Sequence, residues 1–196
     1  LTLGWARDDR DSALAPNAGS YKRVNLEWSV AGDVRYLRAN LQYQHFIPIT
    51  NRFTLGLNSE LGWGEGLGDK PYPIFKNFFG GGLGSVRAFE QGSLGVVDVT
   101  NNYIGGNRKF NVNAELYVPV PGAGNDKSIR LFGFMDAGNV WGESEKIEAS
   151  SLRASTGIGL SWLSPVGPLK LSWGVPLRYE PNDRIQQFQF QIGTAF

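Results

Sequence analysis

The chain has no cysteine, one histidine (His45) and one methionine. Without thiols there is neither a disulfide framework nor thiolate chemistry. A lone imidazole makes a poor start for a zinc site, and only His45 is available as base for a Ser-His-Asp arrangement. The formal net charge is +1 over 196 residues, so no field of one sign argues for nucleic acid. No apolar run approaches the roughly eighteen residues of a spanning helix. The glycine cluster Gly80-Gly81-Gly82-Leu83-Gly84 lacks the Lys-Ser/Thr that completes a phosphate loop, and reads as backbone that must turn tightly. Asp8, Asp9 and Asp11 read as a solvated acidic turn rather than a cation site. No cofactor and no enzymatic activity are expected.

What is present is a period of two. Val24, Leu26, Trp28 and Val30 alternate with Arg23, Asn25, Glu27 and Ser29. The same holds for Leu37–Tyr43, Phe53–Trp63, Phe110–Val118, Leu152–Trp162, Leu169–Leu177 and Phe188–Ile192. Segment 129–141 is less clean, with Ile129, Leu131, Met135 and Trp141 on one face and Arg130, Phe132, Phe134 and Asp136 on the other. Strict alternation predicts strands with two unlike faces. With Leu1–Ala6 the count is about nine, joined by turn chemistry at 15–19, 31–33, 48–51, 119–125, 165–168 and 181–183. The fold class is therefore all-β, an antiparallel meander in one domain. The chain opens at Leu1 inside a strand-like pattern, which suggests a piece of something longer.

Alternation alone does not say which face meets water. Mean hydropathy, −0.24, is that of a soluble chain, but a membrane β-barrel gives the same value because only alternate residues face lipid. Three features favour the barrel. Most segments run about ten to thirteen residues, against a globular average of about five or six and about nine to eleven for a tilted membrane strand. All six tryptophans fall in the apolar phase, mostly near strand ends, where an interfacial girdle belongs. The opposite phase carries rows of Gln, Asn, Gly, Arg, Lys and Glu suited to a wet lumen; Glu27, Glu60 and Glu115 read as its lining. His45 falls in the lipid phase near a strand end and reads as interfacial.

Between Glu65 and Asn107 lies a connection of about forty residues, far beyond ordinary loop length. Its apolar groups, among them Phe75, Phe78, Phe79, Leu83, Val86, Phe89 and Leu94, must be buried against something. We expect it to fold into the cavity of the flanking strands with Arg87 as its polar anchor.

Four motifs then carry a family resemblance. Val86-Arg87-Ala88-Phe89 resembles the Val-Arg-Gly-Phe/Tyr loop signature of the outer-membrane protein assembly factors, the BamA family. Phe134-Met135-Asp136-Ala137-Gly138-Asn139-Val140-Trp141 resembles that family's Phe-x-Asp-x-Gly-x-Val-Trp strand, and Trp162 to Pro168 its Trp-x-Ser-Pro-x-Gly-Pro turn. Gln187 to Phe196 is similar to its closing strand. The pattern departs at Ala88, where the family has glycine; a left-handed backbone there would cost alanine about 1 kcal/mol or more.

The resemblance implies the carboxyl-terminal portion (1–196) of a sixteen-stranded barrel of the bacterial outer membrane, preceded by periplasmic domains. It implies folding and insertion of other β-barrel proteins by strand templating at a weak seam. Arg87 would meet Asp136 in the lumen, with Phe89, Phe134 and Glu115 at the same anchor. Phe188, Phe190, Ile192 and Phe196 would form the closing strand and assembly signal. Implied partners are outer-membrane lipid, unfolded β-barrel clients, assembly-complex lipoproteins and, through open strand edges, a second copy. The rival readings are a two-partner secretion pore of the same superfamily and a soluble ligand-binding β-barrel. Nine antiparallel strands cannot close neatly, because the first and last run parallel; an open half-barrel, pairing with a second copy, or missing strands is expected.

Overall fold

The structure is a computed structural model that describes residues 1–122, 128–165 and 167–193. Phe196, Val166 and part of the turn expected at 119–125 lie outside the described residues.

The strands are β1 (Thr2–Asp8), β2 (Gly19–Ser29), β3 (Tyr36–Pro48), β4 (Thr54–Gly66), β5 (Ala88–Phe89), β6 (Val96–Val97), β7 (Tyr103–Gly105), β8 (Arg108–Pro119), β9 (Ile129–Trp141), β10 (Arg153–Ser164), β11 (Gly167–Arg178), β12 (Ile185–Gln186) and β13 (Phe188–Ile192). Nine of them form one sheet in the order β1-β2-β3-β4-β8-β9-β10-β11-β13. All its ladders are antiparallel, so the meander read from the alternation is the fold. No helix is long and apolar enough to cross a membrane among the described residues.

The faces sort as a barrel wall requires. Met135 is 61% exposed and its neighbour Asp136 is 3% exposed. Leu41, Leu61, Leu116, Ile158 and Trp173 share the exposed side, whereas Asn111, Asn113, Ser155, Ser172 and Gln189 are buried on the other. One inward row runs across neighbouring strands as Arg23, Gln42, Glu60, Asn111 and Gly138. A soluble barrel would place these amides outside. Here they line the concave side, and the aliphatic groups meet hydrocarbon. His45 stands on the outward side, stacked on Tyr43.

One tryptophan departs from the expected girdle. Trp5, Trp63, Trp162 and Trp173 are exposed and Trp28 is half-buried, but Trp141 is only 3% exposed. Its side chain is in the outward phase, beside Arg108. The connection 142–152 folds down over it from the rim: the indole Nε1 donates to Ser151 Oγ at 2.8 Å and Asn139 Nδ2 donates to the Ser151 carbonyl at 2.9 Å. Covering, not core packing, removes this indole from lipid.

The two rims differ. One carries 9–18, 49–53, 120–128 and the tight β10–β11 turn, none longer than ten residues; the other carries 30–35 and 179–187 together with the two longest connections, 67–107 and 142–152. In outer-membrane barrels short turns are periplasmic and long loops extracellular, which orients the sheet. Edge strands β1 and β13 stand eight antiparallel steps apart in a nine-strand order, so they run in the same direction. No ladder joins them among the described residues.

Candidate functional site

The connection 67–107 folds back into the concave side of the sheet. Glycines in the wall make room for it: a Cβ on Gly62 would stand 2.8 Å from the Phe78 ring. Bridges Phe78↔Gly106 and Gly80↔Leu94 close its base. Val86, Phe89 and Leu94 form a small apolar core within the loop. Gly81 and Gly82 adopt φ of +92° and +89°, which glycine reaches without strain, and so bring the Gly82 N–H to the Val86 carbonyl at 3.0 Å.

This turn delivers Arg87, 1% exposed. Its Nε and Nη2 donate to the two oxygens of Asp136 at 2.7 and 2.6 Å, and its backbone N–H adds a third bond to the same carboxylate at 3.0 Å. Nη1 donates to Glu115. The guanidinium Cζ lies 3.7 Å from the Phe134 ring centre and 5.6 Å from that of Phe132. Planar, forked and stacked, this is a site for arginine and not for lysine. Burial pulls the guanidinium pKa down, but Glu115 and Asp136 outweigh it and hold it above its ordinary value.

Glu115 is shared. It accepts from Lys170 Nζ at 2.7 and 2.9 Å and from the Tyr117 hydroxyl. Two cations thus face two carboxylates, and the cluster is neutral. The other inward carboxylates are matched too, Glu27 by Lys76 at 2.6 Å and Glu60 by Lys109 at 2.7 Å. The acidic turn is likewise occupied: Asp8 binds Arg10, Asp9 binds Arg7, and Asp11 accepts from the backbone of Asn17 and Ala18.

The structure brings Arg87, Glu115, Phe134 and Asp136 together. Phe89 is fully buried but belongs to the loop's own core rather than to the lumen cluster. Phe188, Phe190 and Ile192 lie exposed on the outward side of β13; Phe196 lies outside the described residues. Sequence reading missed Tyr117, Phe132 and Lys170. All three sit in the inward phase, but so do many others, and the phase alone does not say which the loop will meet.

Also unforeseen is the loop's grip on the closing strand. Ala88 and Phe89 of β5 pair with Gln186 and Ile185 of β12. The Glu90 N–H donates to the Arg184 carbonyl at 2.9 Å, and Gln189 Nε2 donates to the Phe89 carbonyl at 2.6 Å. The chain therefore leaves β11 just above Phe188, where the Gly174 N–H still donates to the Gln187 carbonyl at 2.9 Å. Two residues on, the position that should donate next is Pro176, which has no N–H. The ladder stops there, and the leading residues of the closing strand pair with the loop instead. Ala88 makes this pairing at φ +71°, a left-handed backbone that costs a non-glycine residue about 1–2 kcal/mol. Its buried methyl faces Gly174, where a Cβ would stand 3.2 Å away.

A family model described as the Omp85 superfamily domain matches residues 1–196. The chain belongs to the Omp85 superfamily. This Omp85 chain is 42% identical, over its whole length, to the outer membrane protein assembly factor BamA of Neisseria meningitidis serogroup B, of which it covers 28%. It is 31% identical to the sorting and assembly machinery component 50 homolog of Bos taurus, covering all of this chain and 45% of that protein. Among solved structures, BamA from Haemophilus ducreyi lacking POTRA domains 1–3 superposes with a TM-score of 0.87 at 28% identity, over 96% of this chain and 41% of that one. CdiB from Acinetobacter baumannii shares the fold, with a TM-score of 0.64 at 17% identity over 96% of this chain and 31% of that one. The chain thus spans less than half the length of the curated relatives it matches. It is a β-barrel segment of the bacterial outer membrane.

Proposed function

We propose that this segment is the carboxyl-terminal part of a barrel that folds and inserts other β-barrel proteins into the outer membrane, by offering the edge of its closing strand to client strands. The observation that carries the proposal is β13 itself. It pairs with β11 over Leu169↔Ile192 to Trp173↔Phe188 only, and the residues that lead into it pair with the loop instead. A strand held by so short a ladder can release its edge, and a released edge is a template for a further strand. Arg87 and its partners act on that edge indirectly, by fixing the loop that holds β12. Proposed partners are outer-membrane lipid, unfolded β-barrel chains and the lipoproteins of an assembly complex. No step in this role needs a catalytic group.

The absence of native cysteine makes a clean test. With Phe190→Cys in the protein reconstituted in bilayer vesicles, a client barrel carrying one cysteine in its terminal strand is expected to form a disulfide while it folds. Leu41→Cys, on interior strand β3, is expected to form none. Equal trapping at both positions would reject templating at β13.

A further inference from the structure

The outer wall at the long-loop rim holds a cation that the lumen network does not use. Arg108 opens β8 in the outward phase, between Trp63 and Trp141 in the cross-strand row. Its guanidinium lies 4.8 Å from the Trp63 ring centre. Its Nε is buried without a hydrogen-bond partner, and no carboxylate pairs with it among the described residues. The next residue, Lys109, points inward to Glu60. An arginine on the hydrocarbon side of a membrane strand is costly unless something neutralises it.

Beside Arg108 is a hollow of about 590 Å³. Its floor is the wall itself, with Leu41, Leu61 and Phe110, and its lip is the folded-down connection 142–152, with Ile147 and Leu152. Of the lip's glutamates, Glu148 lines the hollow, and its Oε2 accepts from the Ser150 hydroxyl at 3.0 Å. Because this side of the sheet faces hydrocarbon, the medium that fills the hollow is lipid, and its polar end meets an unpaired guanidinium at the rim. We propose that this is a binding site for a lipid whose phosphate head group carries a net negative charge, with the head group on Arg108 and an acyl chain in the hollow. The site rests on the outward orientation of the apolar face and not on the assembly role.

Trp63 reports on the site. In vesicles of phosphatidylcholine, the part of the fluorescence quenching that Trp63→Phe abolishes is measured with brominated phosphatidylglycerol or brominated phosphatidylcholine as a minor component. The anionic lipid is expected to be favoured about fivefold, the factor for one basic side chain facing anionic head groups. Arg108→Gln is expected to bring the ratio to about one and Arg108→Lys to keep most of it. Equal quenching by the two lipids in the native protein, or a preference that survives Arg108→Gln, would overturn the proposal. Should Arg108→Gln fail to fold, the native ratio and that of Arg108→Lys still decide it.

Discussion

Replacing Arg87 by alanine is expected to lower stability by about 3–5 kcal/mol, the cost of removing one partner from a buried ion pair. The size follows from what is left behind. Asp136 would lose both guanidinium bonds, keep only the bond from the backbone N–H of residue 87, and stay buried with no cation bonded to it, whereas Glu115 would keep Lys170. Urea unfolding should show a lower midpoint, limited proteolysis should nick residues 80–95 in the folded barrel, and client assembly should fall. Asp136→Asn should act in the same sense. The combination of Arg87→Ala with Asp136→Ala should cost less than the two single losses added, since groups in one network couple by about 0.5–3 kcal/mol. Strict additivity, with no new nicking, would remove the anchor.

The second large effect is expected at Gly157, far from the loop in sequence. This residue of β10 faces Gly174 of β11, and the Phe134 ring lies over the pair. A Cβ at Gly157 would stand 2.7 Å from Phe134 Cζ and 2.8 Å from Gly174 Cα, and closer still to the Trp173 carbonyl. Backbone cannot step aside as a flexible side chain can, so Gly157→Ala forces the ladder apart or tilts Phe134 away from Arg87. A loss of about 1–3 kcal/mol is expected from overpacking, with faster nicking of the loop. Gly133→Ala is the control: on the outward side of β9, its Cβ would meet nothing nearer than 3.9 Å. Equal behaviour of the two variants would contradict the tight seating of Phe134.

Strand positions and faces were legible because the side-chain period of a strand is two and the wall separates lipid from water on every strand. Met135 beside Asp136 shows that rule in two residues. The anchor was less legible. Arg87 and Asp136 are 49 positions apart, and only the motif resemblance pointed from one to the other. Tyr117, Phe132 and Lys170 gave no such signal. The phase of Trp141 was read correctly but its cover was not, because periodicity gives a direction and carries no information about a loop that later covers the side chain. The β5–β12 pairing was hidden because the stretches involved are two residues long. Pro176 was its one visible trace: a proline in a strand marks where a ladder can end.

The most direct measurement is a nitroxide scan of β4, with single cysteines introduced in turn from Leu57 to Leu61 in a chain that has no cysteine of its own. Collision with oxygen dissolved in the bilayer should be high at positions 57, 59 and 61 and low at 58 and 60, where a water-soluble relaxant should prevail. The opposite phase, with labels at 58 and 60 in hydrocarbon, would invert the wall and leave Arg87, Glu115 and Asp136 without a lumen.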